Sequence, residues 1–270
     1  MQSGLYLVGT PIGNLGDMSA RAIETLRDVD LIACEDTRVF GKLASHFDIK
    51  TRRVAFHDHN EQKSVDKIME MLRDKNMSVA VVSDAGMPGI ADPGFRIVRA
   101  CRDAGIPVFA VPGPTAVATA VAISGFATNR FTFCNFLPPT KNARLAKLRN
   151  DNRLRHTLVY YESPNRIMDT IADFAAIMPE RKIAIIREIT KIYEQAIIGY
   201  PAELVGIEPP RGEIVIVVEG GAEPNMTDEE LKALVNDVVA AGHKTKDAAE
   251  IIASHAGISR SDAYEMVLKK

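Results

Sequence analysis

Three glycine- or proline-rich stretches each follow a short apolar run, and they hold the residues best placed to do chemistry. One is Ser83-Asp84-Ala85-Gly86-Met87-Pro88-Gly89-Ile90-Ala91-Asp92-Pro93-Gly94, after Val79-Ala80-Val81-Val82. The others are Gly9-Thr10-Pro11-Ile12-Gly13-Asn14-Leu15-Gly16-Asp17, after Leu5-Tyr6-Leu7-Val8, and Pro112-Gly113-Pro114-Thr115-Ala116, after Pro107-Val108-Phe109-Ala110-Val111. Glycines and prolines at this density let backbone come close to a bound molecule. The glycines at 9, 13 and 16 do not match the dinucleotide pattern G-x-G-x-x-G, and no Gly-Lys-Ser/Thr of a triphosphate cradle occurs. The ligand class is therefore one without a phosphate tail. A fourth strand end, Leu31-Ile32-Ala33-Cys34, delivers Glu35-Asp36-Thr37-Arg38. Those four residues could act on a substrate, or they could simply cap a helix with an internal ion pair.

Loops of this kind need a scaffold that brings strand ends together. Apolar runs of four or five residues alternating with helical patterns predict a parallel sheet over residues 1–125, with ligands beyond the carboxyl ends of its strands. Ser19 is placed to cap a helix through Ala22, Ile23, Leu26 and Val29. Asp92-Pro93 is expected to cap and begin a helix containing Phe95, Ile97, Val98 and Cys101, and 107–111 to be a buried strand. Over 126–220 the strand candidates 131–136, 157–161, 182–187, 194–199 and 213–219 crowd together with fewer helices. That predicts a mixed sheet and an α+β domain. Within it Glu162-Ser163-Pro164-Asn165-Arg166 reads as an N-cap with proline entering a helix. A linker at 220–225 leads to a small helical appendage at 227–270. The fold class is α/β, two domains plus that appendage.

Composition narrows the partners. A net charge of −2 gives no global basic field, so any nucleic-acid contact must be local. The segment 141–156 offers one, with Lys141, Arg144, Lys147, Arg149, Arg153 and Arg155 against the single acid Asp151. Cys34, Cys101 and Cys134 are far apart, which fits neither a disulfide framework nor a metal-ligand spacing. No apolar stretch approaches the ~18 residues of a membrane span. A cytoplasmic protein without a membrane partner is expected.

Taken in order, six motifs carry a resemblance: residues 8–17, Glu35-Asp36-Thr37-Arg38, 83–94, Val111-Pro112-Gly113-Pro114-Thr115-Ala116, Tyr161-Glu162-Ser163-Pro164-Asn165-Arg166 and Arg187-Glu188-Ile189-Thr190-Lys191. Together they resemble the RsmI family of bacterial 16S ribosomal RNA (cytidine-2′-O)-methyltransferases, in the tetrapyrrole-methylase-like superfamily. Met87 and Ala91 stand where that family more often has Thr and Ser. The resemblance implies a homodimer that binds S-adenosyl-L-methionine between its two α/β domains and methylates 16S ribosomal RNA of the small ribosomal subunit. It implies donor contacts at Ile12, Asp84, Met87, Thr115 and Ala116, closed over by residues near Glu162 and Ile189. Methylating a ribose hydroxyl benefits from a base. Glu35, Asp36, His57 and Glu162 are candidates, and Glu35, Asp36 and Arg38 form the leading catalytic group. Arg166 joins Lys141, Arg144, Lys147, Arg149 and Arg153 as an expected RNA contact; Arg38 could hold phosphate as well. A porphyrinoid C-methyltransferase and a non-catalytic S-adenosylmethionine or RNA binder remain open alternatives.

Overall fold

The computed structural model describes residues 1–56, 61–221, 228–256 and 258–269. The first half alternates β1 (Gly4–Val8), α1 (Ala20–Asp28), β2 (Leu31–Cys34), α2 (Thr37–His46), β3 (Arg53–Ala55), α3 (Glu61–Arg73), β4 (Ser78–Val82), α4 (Phe95–Asp103), β5 (Val108–Val111) and α5 (Ala116–Ile123). The strands pair in the order β3-β2-β4-β1-β5, all parallel. Alternation along each strand sorts the core into two layers. Tyr6, Val8, Ile32, Cys34, Ala80 and Val82 meet α1 and α2, whereas Leu5, Leu31, Ala33, Val79 and Val81 meet α3 and α4. Ser19 caps α1 as expected, its hydroxyl accepting from the Ala22 amide at 3.1 Å.

Two local expectations fail in this half. Strand β5 lies at the sheet edge with only β1 beside it, so Val108 and Phe109 are half-buried and Ala110 is exposed. Gly94, at φ 148°, holds the cap position of α4 without any side-chain bond, in place of Asp92 and Pro93. The chain doubles back there, and a Cβ on Gly94 would lie 3.2 Å from the Gly89 backbone. Only glycine fits that turn.

The second half contains β6 (Phe131–Phe136), α6 (Lys141–Asp151), β7 (Thr157–Glu162), α7 (Ile167–Ile177), β8 (Ile183–Arg187), β9 (Gln195–Gly199), α8 (Pro201–Leu204) and β10 (Ile214–Val218). Its sheet runs β6-β7-β10-β8-β9; β6 and β7 are parallel, and the remaining neighbours are antiparallel. Arg166, without a side-chain bond, caps α7, and Pro164 sits in the turn before it rather than inside the helix. One sheet face packs on α6, α7 and α8 through Leu148, Leu158, Tyr160, Phe174 and Leu204. The other face packs on α5. Val117, Ala120 and Val121 meet Val159, Ala184, Ile186, Val215 and Val217 in a seam that joins the halves. Small side chains let α5 pack closely on the second sheet.

The chain ends in α9 (Asp228–Ala240), α10 (Thr245–Ala256) and α11 (Arg260–Leu268), which close a core of their own around Val235, Val238, Ala248, Ala249, Ile252 and Ala263. Most of the expected linker at 220–225 lies outside the described residues.

Candidate functional site

At the carboxyl edge of the first sheet, the loops after β1, β2, β4 and β5 face the second sheet across a cavity of about 470 Å³. All seven residues expected to hold a donor lie on its wall: Ile12, Asp84, Met87, Thr115, Ala116, Glu162 and Ile189. The loops are fastened to one another rather than loosely hung. Thr10 and Gly86 form a two-bond antiparallel bridge, at 2.9 and 3.1 Å, and the Thr10 hydroxyl donates to the Ser83 carbonyl. Gly9 lies against Gly113 so closely that a Cβ on Gly9 would sit 2.6 Å from the Gly113 Cα. The β2 and β4 ends interlock: Asp84 Oδ1 accepts from the Asp36 amide at 3.0 Å, and Glu35 Oε2 accepts from the Asp84 amide at 3.4 Å.

Of the expected catalytic trio, only Glu35 borders the cavity. Asp36 caps α2, accepting from the Arg38 amide at 2.7 Å and from the Arg38 guanidinium at 2.7 Å. Those bonds from Arg38 hold the Asp36 carboxyl well below the usual carboxylate range. The Arg38 side chain otherwise points to solvent, 86% exposed. Asp36 and Arg38 are thus the capped helix start that the four residues also allowed. His57, the remaining base candidate, lies outside the described residues.

Glu162 is fully buried and triply engaged. Its carboxylate meets Arg166 at 2.6 Å, the Thr170 hydroxyl at 2.7 Å and the Ser163 amide at 2.7 Å. Arg166 also donates to the Leu137 carbonyl at 3.1 Å, so its guanidinium is spent inside the fold and not offered to phosphate. Beside it, Tyr161 packs against Phe133 and Phe136. Burial, with Asp92 adding to it, pushes its hydroxyl up to about 12, so at neutral pH it is a proton donor.

The loop after β8 bears backbone strain on either side of Ile189, with Glu188 at φ 52° and Thr190 at φ 67°. A clamp holds it. Lys191 Nζ lies 3.0 Å from both Glu188 and Glu213, and Glu188 also accepts from the Glu213 amide at 3.0 Å. The Thr190 hydroxyl donates to Asp17 of the first half. Sequence reading missed Gly212, Glu213 and Val215 on this wall, as well as Phe136 and Tyr161. Pro209-Pro210-Arg211-Gly212 ahead of β10 was the available signal, and Gly212, at φ 89°, has no room for a Cβ beside Glu188.

Charge gives the cavity its chemical character. Its walls carry Glu35, Asp84, Asp92, Glu162 and Glu213, and no lysine, arginine or histidine among the described residues. Arg166 and Lys191 neutralise Glu162 and Glu213 from behind. The remaining field favours a ligand with positive charge and repels a polyphosphate.

The basic segment divides. Arg144 is buried against Asp173 at 2.5 Å, and Lys147 is tied to Asp151 at 2.7 Å, the acid that Tyr160 also reaches. Those two side chains occupy the face of α6 that packs on β7 and α7. Lys141, Arg149 and Arg153 are exposed and make up the outward basic face, with Arg155 nearby.

A family model described as Tetrapyrrole (Corrin/Porphyrin) Methylases matches residues 4–205. The chain is 43% identical to ribosomal RNA small subunit methyltransferase I of Haemophilus influenzae, covering 98% of this chain and 96% of that one. The proteins of that name from Synechocystis sp. and Escherichia coli O157:H7 are 38% and 39% identical, covering 98% and 100% of this chain and 97% and 96% of theirs. Among solved structures, a diphthine synthase matches with a TM-score of 0.65 at 16% identity, over 80% of this chain and 89% of that one. The uroporphyrin-III-C-methyltransferase from Thermus thermophilus matches with a TM-score of 0.53 at 20% identity, over 81% and 94%. At those identities the likeness is one of fold.

Proposed function

Because the chain belongs to the ribosomal RNA small subunit methyltransferase I family, within the tetrapyrrole methylases, we propose that it is an RNA 2′-O-methyltransferase. Its donor is S-adenosyl-L-methionine, and its acceptor is a cytidine ribose in 16S ribosomal RNA of the small ribosomal subunit. Residues 1–125 and 126–220 serve as the two cleft-forming domains, and 227–270 as an appended helical one. The observation that carries the reading is the acidic cavity between the sheets. Its 470 Å³ is within the ~300–1,000 Å³ usual for small-molecule pockets, and its walls suit a cation with an apolar stem.

When bound, the donor supplies a methyl group on a positively charged sulfur. Ile12, Met87, Thr115, Ala116 and Ile189 line the apolar and backbone-rich part that would hold it, and Asp84 offsets its charge. Loops fastened to one another fix the position of that pocket before anything binds, which is where much of the rate for an in-line transfer arises. Glu35 accepts the proton of the acceptor hydroxyl; it is the member of the expected trio that faces the cavity. Glu162 takes no proton in this scheme. Its carboxylate is already occupied by three donors within the fold, and its task is to position the 163–166 turn. Lys141, Arg149 and Arg153 meet RNA phosphates.

A cytoplasmic homodimer completes the proposal. Ile192 and Tyr193, at 94% and 73% exposed on the turn between β8 and β9, support self-association. An acceptor in ribosomal RNA places the reaction in the cytoplasm. The porphyrinoid alternative is disfavoured by the 43% identity to the ribosomal RNA enzyme over nearly the whole chain, against 20% to the uroporphyrin enzyme. Radiolabelled methyl transfer to small subunits lacking the modification tests the proposal; absence of label from folded, donor-binding protein overturns it.

A further inference from the structure

Strand β6 carries an irregularity that its sequence conceals. Phe131-Thr132-Phe133-Cys134-Asn135-Phe136 alternates, so in an unbroken strand Phe136 would share a face with Thr132 and Cys134. Cys134 does pack with the α6 and α7 core, and Phe133 lies on the opposite, α5 side with Tyr161. The pairing then slips. Phe133 stands opposite Val159 and Phe136 opposite Tyr161, so three steps along β6 match two along β7. This is a β-bulge, and a one-residue slip turns a side chain to the other face. Asn135 absorbs the extra residue at φ 60°, and its side-chain oxygen accepts from the Phe136 amide at 2.8 Å.

Phe136 is thereby turned out of the helix-covered core and onto the cleft. It borders the cavity while remaining 54% exposed, and its ring meets Tyr161 with centroids 5.4 Å apart. Phe133 braces Tyr161 from behind at 4.9 Å. On the first-half wall of the same cavity Ile90 is 56% exposed. Ile12 and Ile189, deeper in, are 9% and 6% exposed. The mouth of the cavity is therefore apolar on two sides, and its aromatic side is set there by the bulge at Asn135.

We propose that Phe136, backed by Tyr161, is the platform on which the base of the acceptor nucleotide stacks, with Ile90 as the second apolar surface. This rests on the RNA methyltransferase reading above. A ribose hydroxyl reaches a cleft of this size only when its nucleotide leaves the neighbouring stack, and the unstacked base needs a new partner. A ring at the mouth supplies one without reading base identity, because every base has a π-face. Phe136 thus contributes acceptor affinity and orientation, while donor contacts lie deeper.

The test uses the full chain, small subunits lacking the modification, and S-adenosylhomocysteine as the probe of the donor site. Phe136→Ala is expected to lower kcat/KM for the subunits by about 5- to 150-fold, chiefly through KM, the range that truncating a base-stacking aromatic gives. Its affinity for S-adenosylhomocysteine and its melting temperature should match the wild type. Phe136→Trp should restore the constant, and Phe136→Leu should restore only part. Wild-type kcat/KM in Phe136→Ala, or a matching loss of S-adenosylhomocysteine affinity, overturns the platform. So does Phe136→Trp that performs no better than Phe136→Ala. An unlabelled RNA with the wild-type enzyme removes the parent reading and the platform together, whereas an active wild type beside an equally active Phe136→Ala removes the platform alone.

Discussion

Replacing Arg144 by alanine should weaken the fold and leave its hold on RNA nearly untouched, although the residue belongs to the most basic stretch of the chain. The Arg144 and Asp173 side chains are 4% and 5% exposed and 2.5 Å apart, and Arg144 adds a bond to the Pro139 carbonyl at 3.4 Å. Truncation strands an ionised carboxylate where water does not reach. Removing one partner of such a pair costs about 3–5 kcal/mol, out of a total stability of about 5–15 kcal/mol. At about 2–4 °C per kcal/mol for a unit of 150–250 residues, the melting temperature should fall by roughly 6–20 °C. Replacing both partners with apolar side chains, Arg144→Met with Asp173→Leu, should recover most of that loss, because a buried pair and its apolar substitute are close in energy. Thermal unfolding and salt-titrated RNA binding, run side by side, decide the matter. The contrasting variant is Arg149→Glu with Arg153→Glu, both on the outward face. It should melt normally, bind RNA weakly, and lose about 0.7–0.9 of log–log salt slope for each phosphate contact removed. An Arg144→Ala protein that melts like wild type but has lost RNA affinity and salt slope would refute the burial argument.

Three further outcomes are expected. Asp84→Asn removes a negative charge that both faces the cavity and fastens the β2 end, and should weaken donor binding about 10- to 100-fold in calorimetry; unchanged affinity would remove Asp84 from the pocket. Glu35→Gln should lower kcat for methyl transfer by about 10²–10⁴-fold while donor affinity holds, the range for losing a general base; a variant with full kcat assigns the proton elsewhere. Asp30 accepts from the Ser78 amide and hydroxyl, both at 2.7 Å, and these bonds hold its carboxyl below the ordinary 3.8. A carboxyl depressed in the folded state stabilises above pH 3.8 and loses that contribution as pH falls below it. Asp30→Asn should therefore flatten the acid side of the stability profile, measured by denaturant unfolding across pH.

What could be read from residues alone depended on whether the cause was local. The strands of the first sheet, the Ser19 cap and the three glycine-rich loops follow from two-residue alternation, hydroxyl capping and backbone freedom, all carried within a few residues. The gathering of the loops after β1, β4 and β5 around one cavity followed once a parallel sheet was granted, because its strand ends share an edge, whereas Ile12, Asp84, Thr115 and Ile189 were singled out by the family resemblance alone. Arg144 was misread because its partner Asp173 is on another helix, and no spacing along α6 reveals which face will be covered. Asp92 and Pro93 carry every mark of a helix start, yet the close approach of Gly89 to Gly94 moves that start two residues on. Phe136 escaped notice for a similar reason. Alternation assigned it to a face, and a slip in pairing with β7 reversed the assignment.

Ile12 and Ile189 belong at once to the buried seam between the sheets and to the cavity wall. The pocket is thus the unfinished end of a core, and a molecule that fills it completes the packing that α5 begins. Occupancy and folding then share one free energy, since anything bound to the folded state alone raises its stability with concentration. Supply of the small molecule becomes a control on lifetime as well as on turnover. With the pocket filled, opened forms grow rarer and a protease finds fewer chains to cut. When supply falls, catalytic capacity and resistance to degradation decline together.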